Sequence, residues 1–318
     1  MCYSAQIWQS YQRYVRTWGA DIDIEAFYRL YWLRNQGGNV RLAKAMDAAF
    51  AEPASARERE IKALIDEWNA REASRLEQEL FKQRRRLADA ERTLQSKTTK
   101  KALEDRRIST TKVEWALGKL ADLRRSELVD ADSRIFPGWH APVLVSERGR
   151  LVVRPMRYQC RPAGKPAAND RRFPGTYNAR RDSLGGYWKD VFGVSHGIVV
   201  ANAFFENVSL HAMERRALAQ GEQERNVVLE FRPRPAHDML VACLWSHWSG
   251  ADEALDSFAA ITDEPPPEVA AAGHDRCIIP IKPTHLRAWL EPDSADLDAQ
   301  QAILEDRERP YYEHRLAA

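Results

Sequence analysis

Residues 135–155, IFPGWHAPVLVSERGRLVVRP, decide how the chain is read. Two β-branched runs, Val143-Leu144-Val145 and Leu151-Val152-Val153, are set between Pro137, Pro142 and Pro155. Prolines at this density punctuate a chain that changes direction often, and β-branched residues favour extended backbone. Pro162, Pro166 and Pro174 continue the pattern. Further strand candidates follow at 197–205, 226–231, 239–244, 258–262 and 277–281, so a β-rich domain begins after Asp130. Short strands at this spacing predict a barrel or sandwich.

Upstream the texture is different. From about Ser55 to Asp130 the chain is rich in Arg, Lys, Glu, Leu and Ala, with no Pro and one Gly, and Leu80, Leu87 and Leu94 recur every seven residues. That composition and period predict a long helix or a helical hairpin packed as an antiparallel coiled coil, its turn near Lys97–Lys101 or near Ile108–Thr111. The first 50 residues also read as helical. Ala5–Trp18 is aromatic-rich, and Ile24, Phe27, Tyr28, Tyr31 and Trp32 fall at helical spacing before Gly37-Gly38. Residues 291–318 are polar and predict a peripheral helix or a loose tail.

The formal net charge is +2 over 318 residues, so any grip on nucleic acid has to come from local clustering of cations. Cysteines 2, 160, 243 and 277 form no CxxC pair, which predicts reduced thiols and a cytoplasmic location. The N-terminus has no basic segment followed by an apolar run, and nowhere are about 20 apolar residues uninterrupted, so neither export nor membrane insertion is expected. No paired metal-ligand spacing and no phosphate-binding GxxxxGK[ST] loop occur, so neither a metal nor another cofactor is expected.

Four short segments carry candidate chemistry: Met1-Cys2, Asn178-Ala179-Arg180 after a Pro/Gly loop, Phe204-Phe205-Glu206 closing a strand, and His274-Asp275-Arg276 opening one. Their order and spacing resemble the SRAP (SOS response-associated peptidase) family, from about Ile135 to Leu290 plus the N-terminal tip. Departures exist: Tyr3-Ser4 stands where the family carries a small residue and then Arg, and Cys277-Ile278 follows the H-D-R motif, lengthening that loop by one or two residues. The resemblance implies an α+β fold with a β-rich core, in which residues 1–54 supply the catalytic Cys and core helices and 131–290 the β-rich part. Residues 55–130 would then be an inserted helical arm and 291–318 a C-terminal tail.

After removal of Met1, Cys2 would present an α-amine and a thiol on adjacent carbons. An abasic deoxyribose opens to an aldehyde; the amine forms an imine with it, and the thiol closes a thiazolidine ring. Ordinary pKa values of roughly 7.7–8.0 and about 8.5 leave both groups partly nucleophilic near neutral pH. Glu206, at the end of an apolar strand, is placed for partial desolvation and general acid/base work. His274 would protonate the ring oxygen or hold the reacting oxygen, and Asn178 would orient amine and substrate. Read without the family, Glu206 is a surface carboxylate, His274 a structural histidine and Asn178 a turn residue.

The resemblance further implies that Arg180 and Arg276 grip the DNA. Arg157, Tyr158 and Pro137 are added as DNA contacts. Arg154, Arg161, Arg171, Arg172 and Arg181, interleaved with Phe173 and Tyr177, extend this into an expected basic single-strand groove. The expected protein is a monomeric abasic-site sensor that crosslinks to single-stranded DNA and joins the nucleoid during damage. The alternative is a cysteine peptidase whose N-terminal nucleophile is Cys2, and a third reading is a non-catalytic DNA-binding coiled-coil protein. Arg84-Arg85-Arg86, Lys100-Lys101, Arg106-Arg107 and Arg124-Arg125 make the arm locally basic, suited to DNA or to a repair protein, although a solvated coiled coil without ligand also fits.

Overall fold

The structure is a computed structural model that describes residues 4–250 and 254–317. Its chain begins with β1 (Ser4–Ile7), α1 (Tyr11–Trp18), β2 (Asp21–Ile22), α2 (Ile24–Asn35), β3 (Arg41–Leu42) and α3 (Lys44–Ala48). Two long helices follow, α4 (Ala56–Ser96) and α5 (Lys100–Arg124). Then come β4 (Arg134–Ile135), β5 (Trp139–Glu147), β6 (Arg150–Tyr158), α6 (Asn169–Arg172), β7 (Asn178–Arg180), β8 (His196–Ser209), α7 (Leu210–Met213) and β9 (Asn226–Arg234). The last elements are β10 (Met239–Ser249), β11 (Ala254–Asp263), α8 (Pro267–Ala271), β12 (Cys277–Ile278), β13 (Pro280–Ile281), α9 (Leu286–Leu290), α10 (Leu297–Glu305) and β14 (Tyr311–Leu316). The class is the expected α+β. Among the described residues no helix is long and apolar enough to cross a membrane.

Five strands close a barrel. β10 pairs with β11, β11 with β6, β6 with β5, β5 with β8, and β8 returns to β10; only the β11–β6 contact is parallel. Closure follows from period-2 patterning, because alternate residues of each strand point to the same side. One buried set comprises Ala141, Val143 and Val145 of β5, Met156 and Tyr158 of β6, Val199 and Ala201 of β8, Val241 and Cys243 of β10, and Phe258 and Ala260 of β11. Gly197 lies in phase with Val199, and a Cβ there would meet Val143 Cγ1 at 2.9 Å and Cys243 Sγ at 3.1 Å, so the strands approach closely only because a side chain is absent. The opposite face is covered too: Leu144, Ile198, Val200 and Leu244 are fully buried.

Two differences from the sequence reading lie at the chain ends. Ala5–Ile7, read as the start of a helix, belongs to β1, which is sandwiched between β8 and β4. The backbone hydrogen bonds offered by two neighbouring strands outweigh the local helical pattern. The polar C-terminus is neither a lone peripheral helix nor a loose tail, since β14 pairs with β9 from Tyr311↔Arg234 to Leu316↔Leu229. One inward ring anchors it: Tyr312 is buried, with its ring edge-on to Phe204 at 5.0 Å.

The chain divides into two compact units, Met1–Leu30 with Asn39–Glu52 and Val129–Ala318, and Tyr31–Gly38 with Pro53–Leu128. In the second unit Ser55 Oγ accepts from the Glu58 amide, satisfying a donor that the first turn of α4 leaves open, and Glu58 Oε2 reaches back to accept from the Ala54 amide just before the cap. Thr99 caps α5 in the same way through the Ala102 amide, which places the turn at the earlier of the two expected sites. Leu76, Gln83 and Ala90 of α4 are buried with Ala102, Ser109, Ala116 and Leu120 of α5, whereas Leu80, Leu87 and Leu94 are only half-buried. On the α5 side three of these four, Ala102, Ser109 and Ala116, are small and leave room for the longer side chains of α4. Residues 31–38 join the same unit: Arg34 lies over the Trp68 ring and Asn35 Nδ2 donates to Glu67.

Two buried imidazoles make this fold sensitive to acid. His196 stacks between Phe192 and Trp289, donates from Nδ1 to the Trp289 carbonyl and accepts the Gly193 amide on Nε2. Burial pushes its pKa down to about 3, and burial aided by the Arg157 charge pushes His140 down to about 4, from an ordinary 6.5. The unfolded chain therefore binds more protons than the folded one once the pH drops below 6.5, and stability falls from there towards the folded values. Urea midpoints are expected to be level above about pH 7 and to decline between about pH 6.5 and 5, before carboxylates contribute. A flat midpoint over that interval contradicts the burial of neutral rings.

Candidate active site

The second half of β8 leaves the barrel and runs between β1 and β9, with Ser4 opposite Phe205 and Glu206 opposite Leu229. Phe204 and Glu206 share one face by strand alternation. Phe204 stacks on Phe231 at 5.0 Å, which sets the face inward, and Glu206 is completely buried beside it. Phe205 turns the other way, under the Arg134 guanidinium at 3.7 Å, while Arg134 Nε donates to Ser4 Oγ.

His274 reaches Glu206 from the loop between α8 and β12. Gly273, at φ +95°, bends that loop back against Ala212, in a region that other residues rarely occupy. His274 Nε2 lies 3.2 Å from Glu206 Oε2, and its Nδ1 lies 2.9 Å from the Arg276 carbonyl. An oxygen thus faces each ring nitrogen. Nδ1 also lies 3.3 Å from the Arg276 amide, so the carbonyl and the amide between them accommodate either tautomer, while Nε2 faces the Glu206 carboxylate. Burial lowers the pKa of His274, which the Arg276 carbonyl partly counters. A fully buried carboxylate and a mostly buried imidazole thus stand within reach of one another, a pairing of titratable groups suited to general acid/base work.

Cys2 lies outside the described residues. The other three cysteines are poor nucleophiles: burial pushes the Cys160 thiol up to about 12, raises Cys243 well above its ordinary value, and raises Cys277, where the neighbouring Glu206 charge adds to the effect.

Asn178 is buried at the start of β7 and accepts from Tyr158 Oη at 3.5 Å. β7 and β12 meet β11 at one residue, Thr262 opposing Arg180 of β7 and Ile278 of β12. The N-A-R and H-D-R segments therefore hang from the same end of β11. Arg180 is exposed and paired with Asp182, whereas Arg276 is half-buried and forms no ion pair with a described residue. Pro137 is half-buried in the turn that joins β4 to β5.

The expected basic groove needs correction at several positions. Tyr158 offers no surface to a base, because its ring is buried and stacked on Phe258 at 5.1 Å; its hydroxyl instead holds Asn178. Asp170, which the run Asn-Asp-Arg-Arg does not mark out by spacing, receives both Arg157 at 2.8 Å and Arg161 at 2.5 Å. Burial would raise the Asp170 pKa, but these two guanidinium hydrogen bonds outweigh it and hold the carboxyl low. Arg154 meets Asp23, Glu147 and Asp256, and Arg181 meets Asp263 and Glu305. Exposed Arg171 and Arg172 form no ion pair with a described residue. Arg134 was also missed, since a cation lying over Phe205 is set by strand pairing, and sequence spacing gives no sign of it.

A closed barrel with a buried carboxylate–imidazole pair at the exit of its longest strand defines the class. The family model described as SOS response associated peptidase (SRAP) matches residues 90–316. The chain belongs to the SRAP family, which ties it to the response to DNA damage. Similar solved structures include a protein from Bordetella bronchiseptica, 16% identical over 61% of this chain and 90% of that one, with a TM-score of 0.45. Another, from Bacteroides thetaiotaomicron, is 14% identical over 58% and 78%, with a TM-score of 0.44. A phage-related protein from Bordetella bronchiseptica is 17% identical over 61% and 85%, also at 0.44. No curated protein matches the chain.

Asp170→Asn should destabilise the protein by about 3 kcal/mol in urea denaturation, because it leaves the buried Arg161 and the mostly buried Arg157 without a counter-charge. A loss below about 0.5 kcal/mol would mean that solvent already screens these pairs.

Proposed function

We propose that the protein captures abasic sites in single-stranded DNA by a covalent bond through Cys2, exposed by removal of Met1. The α-amine adds to the C1 aldehyde of the ring-opened deoxyribose and water leaves, giving an imine. The thiol then adds across the C=N bond, its proton passing to the nitrogen, and a thiazolidine closes without any change of redox state. One water is released overall.

The observation that carries this reading is the Glu206–His274 contact at 3.2 Å, in a strand segment whose register neighbour is Ser4. Two residues of chain span at most about 7 Å, so Ser4 is a short tether for Cys2. Glu206 takes the proton released as the amine attacks and returns it to the departing hydroxyl, with His274 as its reservoir. Asn178 orients the sugar, and Arg276, Arg180, Arg171 and Arg172 supply cations for the flanking phosphates. A peptide carbonyl could meet the same thiol, as the family's description implies, so peptide substrates belong beside DNA in any assay.

Purified protein mixed with single-stranded oligonucleotides, with and without one abasic site, is expected to give a band on denaturing gels that requires both the lesion and Cys2. Cys2→Ala should abolish it, and Glu206→Gln should slow its appearance roughly 100-fold. No band from protein shown by mass spectrometry to lack Met1 contradicts the proposal.

A further inference from the structure

The helical hairpin is electrically lopsided along its length. Residues 82–112, its distal half, carry eleven Lys and Arg against four Asp and Glu, whereas the remainder of 53–128 carries eight against ten. A solvated hairpin with no ligand gains most from interspersed signs, as the basal half has, because like charges crowded on one helix repel. In the distal half Arg86, Arg92 and Arg107 pair with Asp105, Asp89 and Glu104. Lys82, Arg84, Arg85, Lys100, Lys101 and Arg106 remain exposed and form no ion pair with a described residue. Some of them converge from both helices: a groove of about 490 Å³ has Lys82, Arg85, Arg86 and Lys101 in its wall, with Thr93 and Thr99. Asp89 and Asp105, also in the wall, are the acids already paired with Arg92 and Arg86.

We infer that the distal half of the hairpin is a second nucleic-acid site, one that binds the phosphate backbone of duplex DNA without reading sequence. Single-strand binding needs rings on which bases stack, and residues 82–112 contain no Phe, Tyr or Trp. The nearest rings in the chain, Phe81 at 72% exposure and Trp115 at 45%, lie outside that stretch. What the arm offers is charge on a stiff rod. From Lys82 to the end of α4 the rod rises about 22 Å, the length of about six phosphates on one strand of B-form DNA. The site does not rest on the Cys2 reading and stands or falls without it.

The test is fluorescence anisotropy of the full-length protein on a lesion-free duplex over a series of salt concentrations. Wild type should bind with a steep loss of affinity as salt rises. The quadruple variant Arg84→Gln, Arg85→Gln, Lys100→Gln, Lys101→Gln, with unchanged helical circular dichroism, should show a slope of log affinity against log salt shallower by about 3 to 4. Arg84→Lys with Arg85→Lys should keep the wild-type slope. Cys2→Ala should bind the duplex as wild type does, so a failed crosslink and a failed arm are told apart. An unchanged slope in the quadruple variant overturns the inference. So does wild-type protein that binds polyglutamate or anionic vesicles but not duplex.

Discussion

The placement of the candidate site depends on one constraint, the register of β8. Its first half closes the barrel, with His196 opposite Leu244 and Ala201 opposite Met239. Its second half carries Phe204 into the core and, two residues on, Glu206. The register of β8 against β1 shifts between Ala201 and Ala203, so the core residues change from Val199 and Ala201 to Phe204 and Val208, and this irregularity puts Glu206 in phase with the core. A slip of one residue in the second half would turn Glu206 to the face that Phe205 now shares with Arg134 and Phe204 out of its stack on Phe231, and the side chains from Phe204 to Val208 would resist it. A carboxylate is thereby held in a dry position by hydrophobic contacts spread along the strand. The loop bearing His274 then has only to bring one nitrogen to it.

Charge in the barrel unit is spent internally to a degree that composition does not suggest. Arg154, Arg157, Arg161 and Arg181 each end on carboxylates, and Asp170 and Asp263 each hold two guanidiniums. Removing one partner from such a cluster leaves a buried charge behind, so these pairs fix geometry more than they attract ligands. Near the candidate site the cations turned to solvent are Arg276 beside the Glu206–His274 pair, exposed Arg180, and Arg171 and Arg172 on the exposed turn of α6. The distal hairpin has the opposite organisation, with its cations turned to solvent.

The barrel strands were legible in the sequence because alternation is a local signal, and the expected runs from Val143–Val145 to 258–262 lie within strands, while 277–281 is split at Ile279 into β12 and β13. The hairpin was legible from composition, although its buried line proved to be Leu76, Gln83 and Ala90, on the same seven-residue spacing but four residues ahead of the leucine heptad. β1 and β14 were not legible. Each owes its conformation to neighbours distant in the chain, Phe205 for Ser4 and Arg234 for Tyr311. The site divides in the same way. Glu206 and His274 were found from motifs and do meet. The partners of Arg157, Arg161 and Tyr158 come from folded distances that no spacing rule contains, and for that reason the expected basic groove was drawn too broadly.

The proposed chemistry joins an N-terminal aminothiol to the abasic aldehyde. Intact mass spectrometry of the purified conjugate, followed by sequencing of its N-terminal peptide, tests it most directly. The account predicts a mass equal to protein lacking Met1 plus oligonucleotide less one water, stable without borohydride reduction, with the adduct on Cys2. An adduct on a lysine, or one that survives only after reduction, would contradict it.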